Sequence, residues 1–129
     1  MADIRYSTSH EWCRLKDDLA TCGITQHAVD QLNDLTFLDY RVEAGDDVSK
    51  GDPFGEIDSV KATSELFCPM SGNVETVNER FQDEGELPAI NASPEDEGWM
   101  VKIRVNDPAE FEALIDAEAY AAHCADDGH

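Results

Sequence analysis

Apolar and polar positions change period several times along the chain, and each change marks an element. "EWCRLKDDLATCGI" (11–24) holds two short apolar-rich stretches around Asp17-Asp18, the pattern of a hairpin. The period then lengthens. Ile24, Ala28, Leu32 and Leu35 recur at spacings of four, four and three, which predicts a short helix with one buried stripe. Thr25 stands where its hydroxyl can cap the first turn, Ile24 and Val29 stand at hydrophobic-staple positions, and His27 falls on the solvent side. From Thr36 the period drops to two: "TFLDYRV" sets Leu38, Tyr40 and Val42 against Asp39 and Arg41, as a half-buried strand does.

Gly45, Gly51, Pro53, Pro69 and Gly72 then punctuate a series of short strands, "AGDDVSKGDP", "FGEIDSV", "SELFCPM" and "SGNVETVN". Residues 78–99 are polar with few apolar anchors and read as a loop with a turn of helix, and "WMVKIRV" is the last strand. Asp107 then looks like an N-cap, with Pro108 at the first helical position and Glu110 completing a capping box. Phe111, Leu114 and Ile115 face the core of a C-terminal helix that the alanines continue. The chain is mostly β, with one short helix in its N-terminal half and one at its C-terminal end.

Composition narrows the role. A chain of 129 residues with 41% hydrophobic content makes one domain (1–129), with a core from about 6 to 122 and an acidic tail over 123–129. Nine basic side chains against 29 acidic ones give a net charge of −20, a field that repels nucleic acid and anionic lipid and steers towards basic patches on partner proteins. No apolar run is long enough for a membrane span. The start has no targeting pattern, so the expected compartment is the cytoplasm, or the mitochondrial matrix for a processed eukaryotic form. Cys13, Cys22, Cys68 and Cys124 have no zinc-type spacing and read as reduced fillers. His123, Cys124 and His129 are set aside as metal ligands because a frayed terminus holds no fixed geometry, so no metal is expected.

One lysine stands out. In "GEIDSVKATSELF" (55–67) Lys61 is the only basic residue between positions 51 and 79, and compact Val60 and Ala62 leave its amine uncovered. Gly51 lies ten residues before it and Gly72 eleven after, so two strands of equal length lead to a hairpin tip carrying the lysine. A tip side chain can visit another protein's active site. An ordinary solvated lysine fits the same pattern.

"SHEW" (9–12), "GIT" (23–25), "GEIDSVKATSE" (55–65), "PMSGNVETVN" (69–78), "EGWMVKIRV" (97–105) and "DPAEFEALIDAEAY" (107–120) together resemble the glycine cleavage system H proteins, a lipoyl-carrier family, over about residues 6–120. Biotin carriers usually flank the lysine with methionines, unlike Val60 and Ala62. The resemblance implies a hybrid barrel-sandwich of two small sheets with flanking helices, and lipoate joined to Lys61 by an amide. It implies loading by a lipoate ligase or lipoyl transferase. The implied partners are a pyridoxal-phosphate glycine decarboxylase, a tetrahydrofolate-dependent aminomethyltransferase and a flavin-dependent dihydrolipoyl dehydrogenase. It implies a carrier without chemistry of its own, whose cargo shelters beside Glu11, Glu65 and Ser9. A shared arm works best on a monomer.

The sequence departs from the family at Asp58, where glutamate is more usual, in "LDYRVEAG", and in the 84–97 loop, where Glu95 replaces a tyrosine. These changes bear on ligase preference, arm cover and partner fit. Three rivals stand beside the leading reading: an H-like carrier for lipoate relay or sulfur oxidation, a Schiff-base lysine enzyme, and an acidic adaptor without cofactor. A Schiff-base lysine needs an apolar pocket or a cationic neighbour, and the neighbours of Lys61 are carboxylates.

Overall fold

The computed structural model describes residues 3–7, 9–32, 34–95, 97–107 and 109–127. Among the described residues, nine strands form two antiparallel sheets: β1 (Asp3–Tyr6), β2 (Glu11–Lys16), β3 (Leu19–Ile24), β4 (Leu35–Tyr40), β5 (Asp47–Val48), β6 (Pro53–Ser59), β7 (Thr63–Phe67), β8 (Gly72–Val77) and β9 (Val101–Val105). The larger sheet runs in the order β1-β2-β3-β9-β8-β5, the smaller β4-β6-β7. The implied two-sheet architecture is present, and the sheets do not close into a barrel.

Alternation decides which faces meet. Val101, Ile103 and Val105 of β9 are buried while Arg104 is exposed, and β4 and β6 send Leu38, Phe54 and Ile57 into the same cluster. The β2–β3 hairpin turns at Asp17-Asp18 as its pattern predicts, with Asp17 at φ 57° in the left-handed region that Asp tolerates. Trp12 and Gly23 are directly paired there. The fully buried indole lies so close that a Cβ on residue 23 would come within 2.9 Å of Nε1, so only glycine fits.

Helix α1 (Gln26–Leu32) starts where Thr25 predicts, the Ala28 amide donating to Thr25 Oγ1 at 3.2 Å. Four expectations fail further along. The 78–99 segment is not a loosely anchored loop: two 3-10 turns (Glu79–Gln82 and Glu84–Glu86) and helix α2 (Pro88–Ala92) bury Phe81, Leu87 and Ile90 completely. Each such side chain stabilises by about 1.5–3 kcal/mol.

The C-terminal helix is likewise two pieces, α3 (Ala109–Glu112) and α4 (Ala117–Asp127). Between them Ile115 pairs with Tyr6, exchanging backbone hydrogen bonds of 2.8 and 3.0 Å, and this sheet-like pairing breaks the helix. Asp116 caps the second piece by accepting from the Ala119 amide at 2.9 Å. Asp107 does cap α3, through the Ala109 amide at 3.2 Å, but the Glu110 carboxylate accepts from Ser71 instead of completing the capping box. The Pro108 expectation lies outside the described residues. The segment 123–127, expected as frayed tail, is helical.

Candidate functional site

The β6–β7 hairpin ends in Val60, Lys61 and Ala62, and its tip is pinned by backbone chemistry. The Ser59 amide donates to the Ala62 carbonyl at 2.8 Å, and Ser59 Oγ accepts from the Lys61 and Ala62 amides at 3.1 Å each. Such a serine turn occupies the donors that an exposed bend otherwise leaves to water. The Val60 amide reaches the Asp34 carbonyl at 3.1 Å, tying the tip to the connection between α1 and β4. Val60 is 65% exposed and Lys61 is exposed beside it. Among the described residues the Lys61 ammonium makes no ion pair. The lysine thus stands at a bend as expected, although β6 has seven residues and β7 five rather than equal lengths.

Ser9 and Glu11, neighbours in the chain, and the distant Glu65 line one cleft of about 80 Å³ with Ile24, Leu32 and Leu66 as apolar wall. Their environments differ sharply. Glu11 is 1% exposed, and its Oε1 accepts from Ser7 Oγ at 2.6 Å and from Ser9 Oγ while Oε2 accepts from the Phe67 amide at 3.2 Å. The carboxyl therefore fastens β2 of one sheet to β7 of the other. Burial raises its pKa above the ordinary glutamate range against the lowering effect of these donors. Glu65 has a half-exposed side chain, 3.9 Å from Arg41, which also pairs with Glu56 at 3.1 Å. Ser9 is exposed.

None of the described residues of the 84–97 segment lines this cleft. They dock elsewhere: Trp12 Nε1 donates to the Pro94 carbonyl at 2.8 Å, Arg14 to the Glu95 carbonyl at 2.7 Å, and Tyr6 to the Glu95 carboxylate at 3.2 Å. Glu95 thus has a partner of its own. A larger, more polar cleft of about 390 Å³ lies at the C-terminal end of β4, between Tyr40, Glu43, Thr76 and Glu79. Sequence reasoning assigned His10 no role, yet it lines the cleft wall, and its place within "SHEW" was the available signal.

A family model described as Glycine cleavage H-protein matches residues 4–127. The chain belongs to that family. The Glycine cleavage system H protein of Thermotoga maritima is 43% identical over 121 residues, covering 94% of this chain and 95% of the relative. The mitochondrial Glycine cleavage system H protein of Oryza sativa subsp. indica is also 43% identical, over 94% of this chain and 72% of its own length. The crystal structure of a glycine cleavage system H protein from Mycobacterium marinum superposes with a TM-score of 0.82 at 32% identity, covering 93% of this chain and 94% of that one. Glycine cleavage H proteins are lipoyl carriers, not catalysts, and work with the enzymes of glycine cleavage, which favours that reading over the rival carriers. No helix among the described residues is long and apolar enough to cross a membrane.

Proposed function

We propose that Lys61 takes lipoate as an amide and that the chain carries aminomethyl groups and reducing equivalents among glycine decarboxylase, aminomethyltransferase and dihydrolipoyl dehydrogenase. A lipoate ligase or lipoyl transferase would load it. The observation that carries this reading is an uncovered amine on a bend whose backbone is pinned by Ser59 and Asp34. Those residues fit the group: the amine is accessible, and its anchor is stiff enough to present it repeatedly.

When attached, lipoate supplies a disulfide able to accept the one-carbon cargo and two electrons. The protein's own residues do the rest. Ser59 and the Asp34 carbonyl hold the tip, while Ile24, Leu32 and Leu66 give the nearby cleft an apolar wall. Glu65 and Ser9, at the accessible part of the wall, are suited to receive a cationic amine, whereas Glu11 acts through position, keeping both walls together. Tethering raises the effective concentration of the cargo at each docked enzyme. A charge of −20 suits brief, steered docking of a monomer, in the cytoplasm or, for a processed eukaryotic form, the mitochondrial matrix.

Incubation with lipoate, ATP and a lipoate ligase should add one lipoyl mass at Lys61. Lys61→Arg should take none while changing stability by no more than about 0.5 kcal/mol, as exposed substitutions do. The lipoylated chain, given glycine, glycine decarboxylase and labelled bicarbonate, should support carboxyl exchange. A lipoylated chain that supports none would be a carrier for another pathway, and a bare Lys61 would sink the proposal.

A further inference from the structure

Behind the cleft wall lies a cluster that the carrier role does not use. His10 from the turn before β2, His27 from the first turn of α1 and Cys124 from α4 each offer one ligand atom, and these atoms all lie within 4.8 Å of one another. All three residues are half-buried. The His10 and His27 rings are 4.7 Å apart between centroids, and the His123 ring lies 5.6 Å from that of His10. His27 Nε2 is buried and has no hydrogen-bond partner among the described residues. A ring nitrogen withdrawn from water in this way is unusual unless something else occupies it. His10 is held by a chain of polar contacts: its Nδ1 is 2.7 Å from the Tyr120 hydroxyl, which is 2.6 Å from Thr25 Oγ1. Partners of that kind orient metal-binding imidazoles.

We propose that His10, His27 and Cys124 form a binding site for a divalent cation of the zinc class. Two imidazoles and a thiolate are a borderline-soft set that suits Zn²⁺, whereas Mg²⁺ and Ca²⁺ take oxygen ligands. Bonds of about 2.0–2.3 Å require donor atoms roughly 3.3–3.8 Å apart, so the cluster must contract by about 1 Å. Rotation of the His27 and Cys124 side chains can supply that. Water completes four-coordination.

Of the tail residues set aside as ligands from the sequence, Cys124 returns in this cluster, while His129 lies outside the described residues. Helix α4 carries Cys124 back onto the body, where His10 and His27 replace the tail as its partners. An ion there would cross-link the turn before β2, α1 and α4, and since His10 and α1 also line the cleft, it would stiffen that wall. Binding to the folded chain alone raises stability in proportion to ion occupancy.

The test uses the full chain, stripped with chelator. Calorimetric titration with ZnCl₂ should show one equivalent bound, with a midpoint of thermal unfolding that rises with zinc concentration. Co²⁺ should give a thiolate charge-transfer band, which surface carboxylates cannot produce; Cys13, Cys22 and Cys68 are buried. Cys124→Ser should abolish the band, and His27→Gln should weaken zinc binding roughly tenfold or more. Removal of residues 128–129 should change nothing. Variants with wild-type stoichiometry and affinity, or binding lost with those last two residues, would overturn the site. Where a variant fails to fold, wild type decides: zinc must protect Cys124 from alkylation, read by peptide mass, and unprotected Cys124 refutes the proposal.

Discussion

The Glu110 carboxylate holds Ser71 twice, accepting from its backbone N–H at 2.7 Å and from its hydroxyl at 2.8 Å. Ser71 ends the connection from β7 to β8, immediately before Gly72, where a Cβ would collide with the Arg104 carbonyl oxygen. One acid on α3 therefore clamps the C-terminal segment onto the start of β8, where the backbone of β9 leaves no room for a side chain. Charged hydrogen bonds of this length are the strong kind. Glu110→Ala leaves the Ser71 amide without its acceptor and should cost about 1–3 kcal/mol in urea unfolding. An unchanged midpoint would show that water replaces the carboxylate without loss.

Glu11 should leave a signature in pH. Burial raises its native pKa, while the unfolded chain releases the proton near about 4.3. Between those values the native state holds a proton that the unfolded state has lost. The stabilisation is complete below about pH 4.3 and is lost as pH rises through the native value. Glu11→Gln stays neutral throughout. The stability of wild type relative to Glu11→Gln, from urea midpoints at matched ionic strength, should decline as pH rises from about 4 towards neutrality. A constant difference would mean that the donors from Ser7, Ser9 and Phe67 balance the cost of burial.

Ile90 measures whether the polar 78–99 segment belongs to the core. Its side chain is fully buried, so Ile90→Ala should cost about 2–5 kcal/mol and lower the thermal midpoint accordingly. A cost within about 0.5 kcal/mol would be that of a surface loop.

Ala28 faces the cleft from α1. Ala28→Trp should occupy much of its volume while leaving Lys61 accessible to the ligase. We expect normal lipoylation and a several-fold drop in coupling between ammonia release and transfer of carbon to tetrahydrofolate. Unaltered coupling, in a variant shown to be folded by circular dichroism, would remove the cleft from cargo protection.

Some elements were legible because their cause is local. Asp17-Asp18 turns the first hairpin, Thr25 caps α1, and Ser59 folds the bend that carries Lys61, each within a few residues of its partner. The capping box failed because Glu110 had a better, distant partner in Ser71. Phe81, Leu87 and Ile90 were hidden because short 3-10 turns and a five-residue helix show no sustained period. His27 lay on the wet side of its own helix only until α4 was brought alongside.

By itself, then, the chain's pattern determined the mostly β character and the accessible lysine at a bend, because alternation, caps and turns act between near neighbours; the division into two sheets was implied only by the family resemblance. Only the tertiary structure decided that Glu11 rivets β2 to β7, that Tyr6 interrupts the last helix through Ile115, and that two histidines meet a cysteine from the tail. Those contacts join residues whose separation in the chain carries no periodic signal; they exist only where packing of the two sheets delivers them.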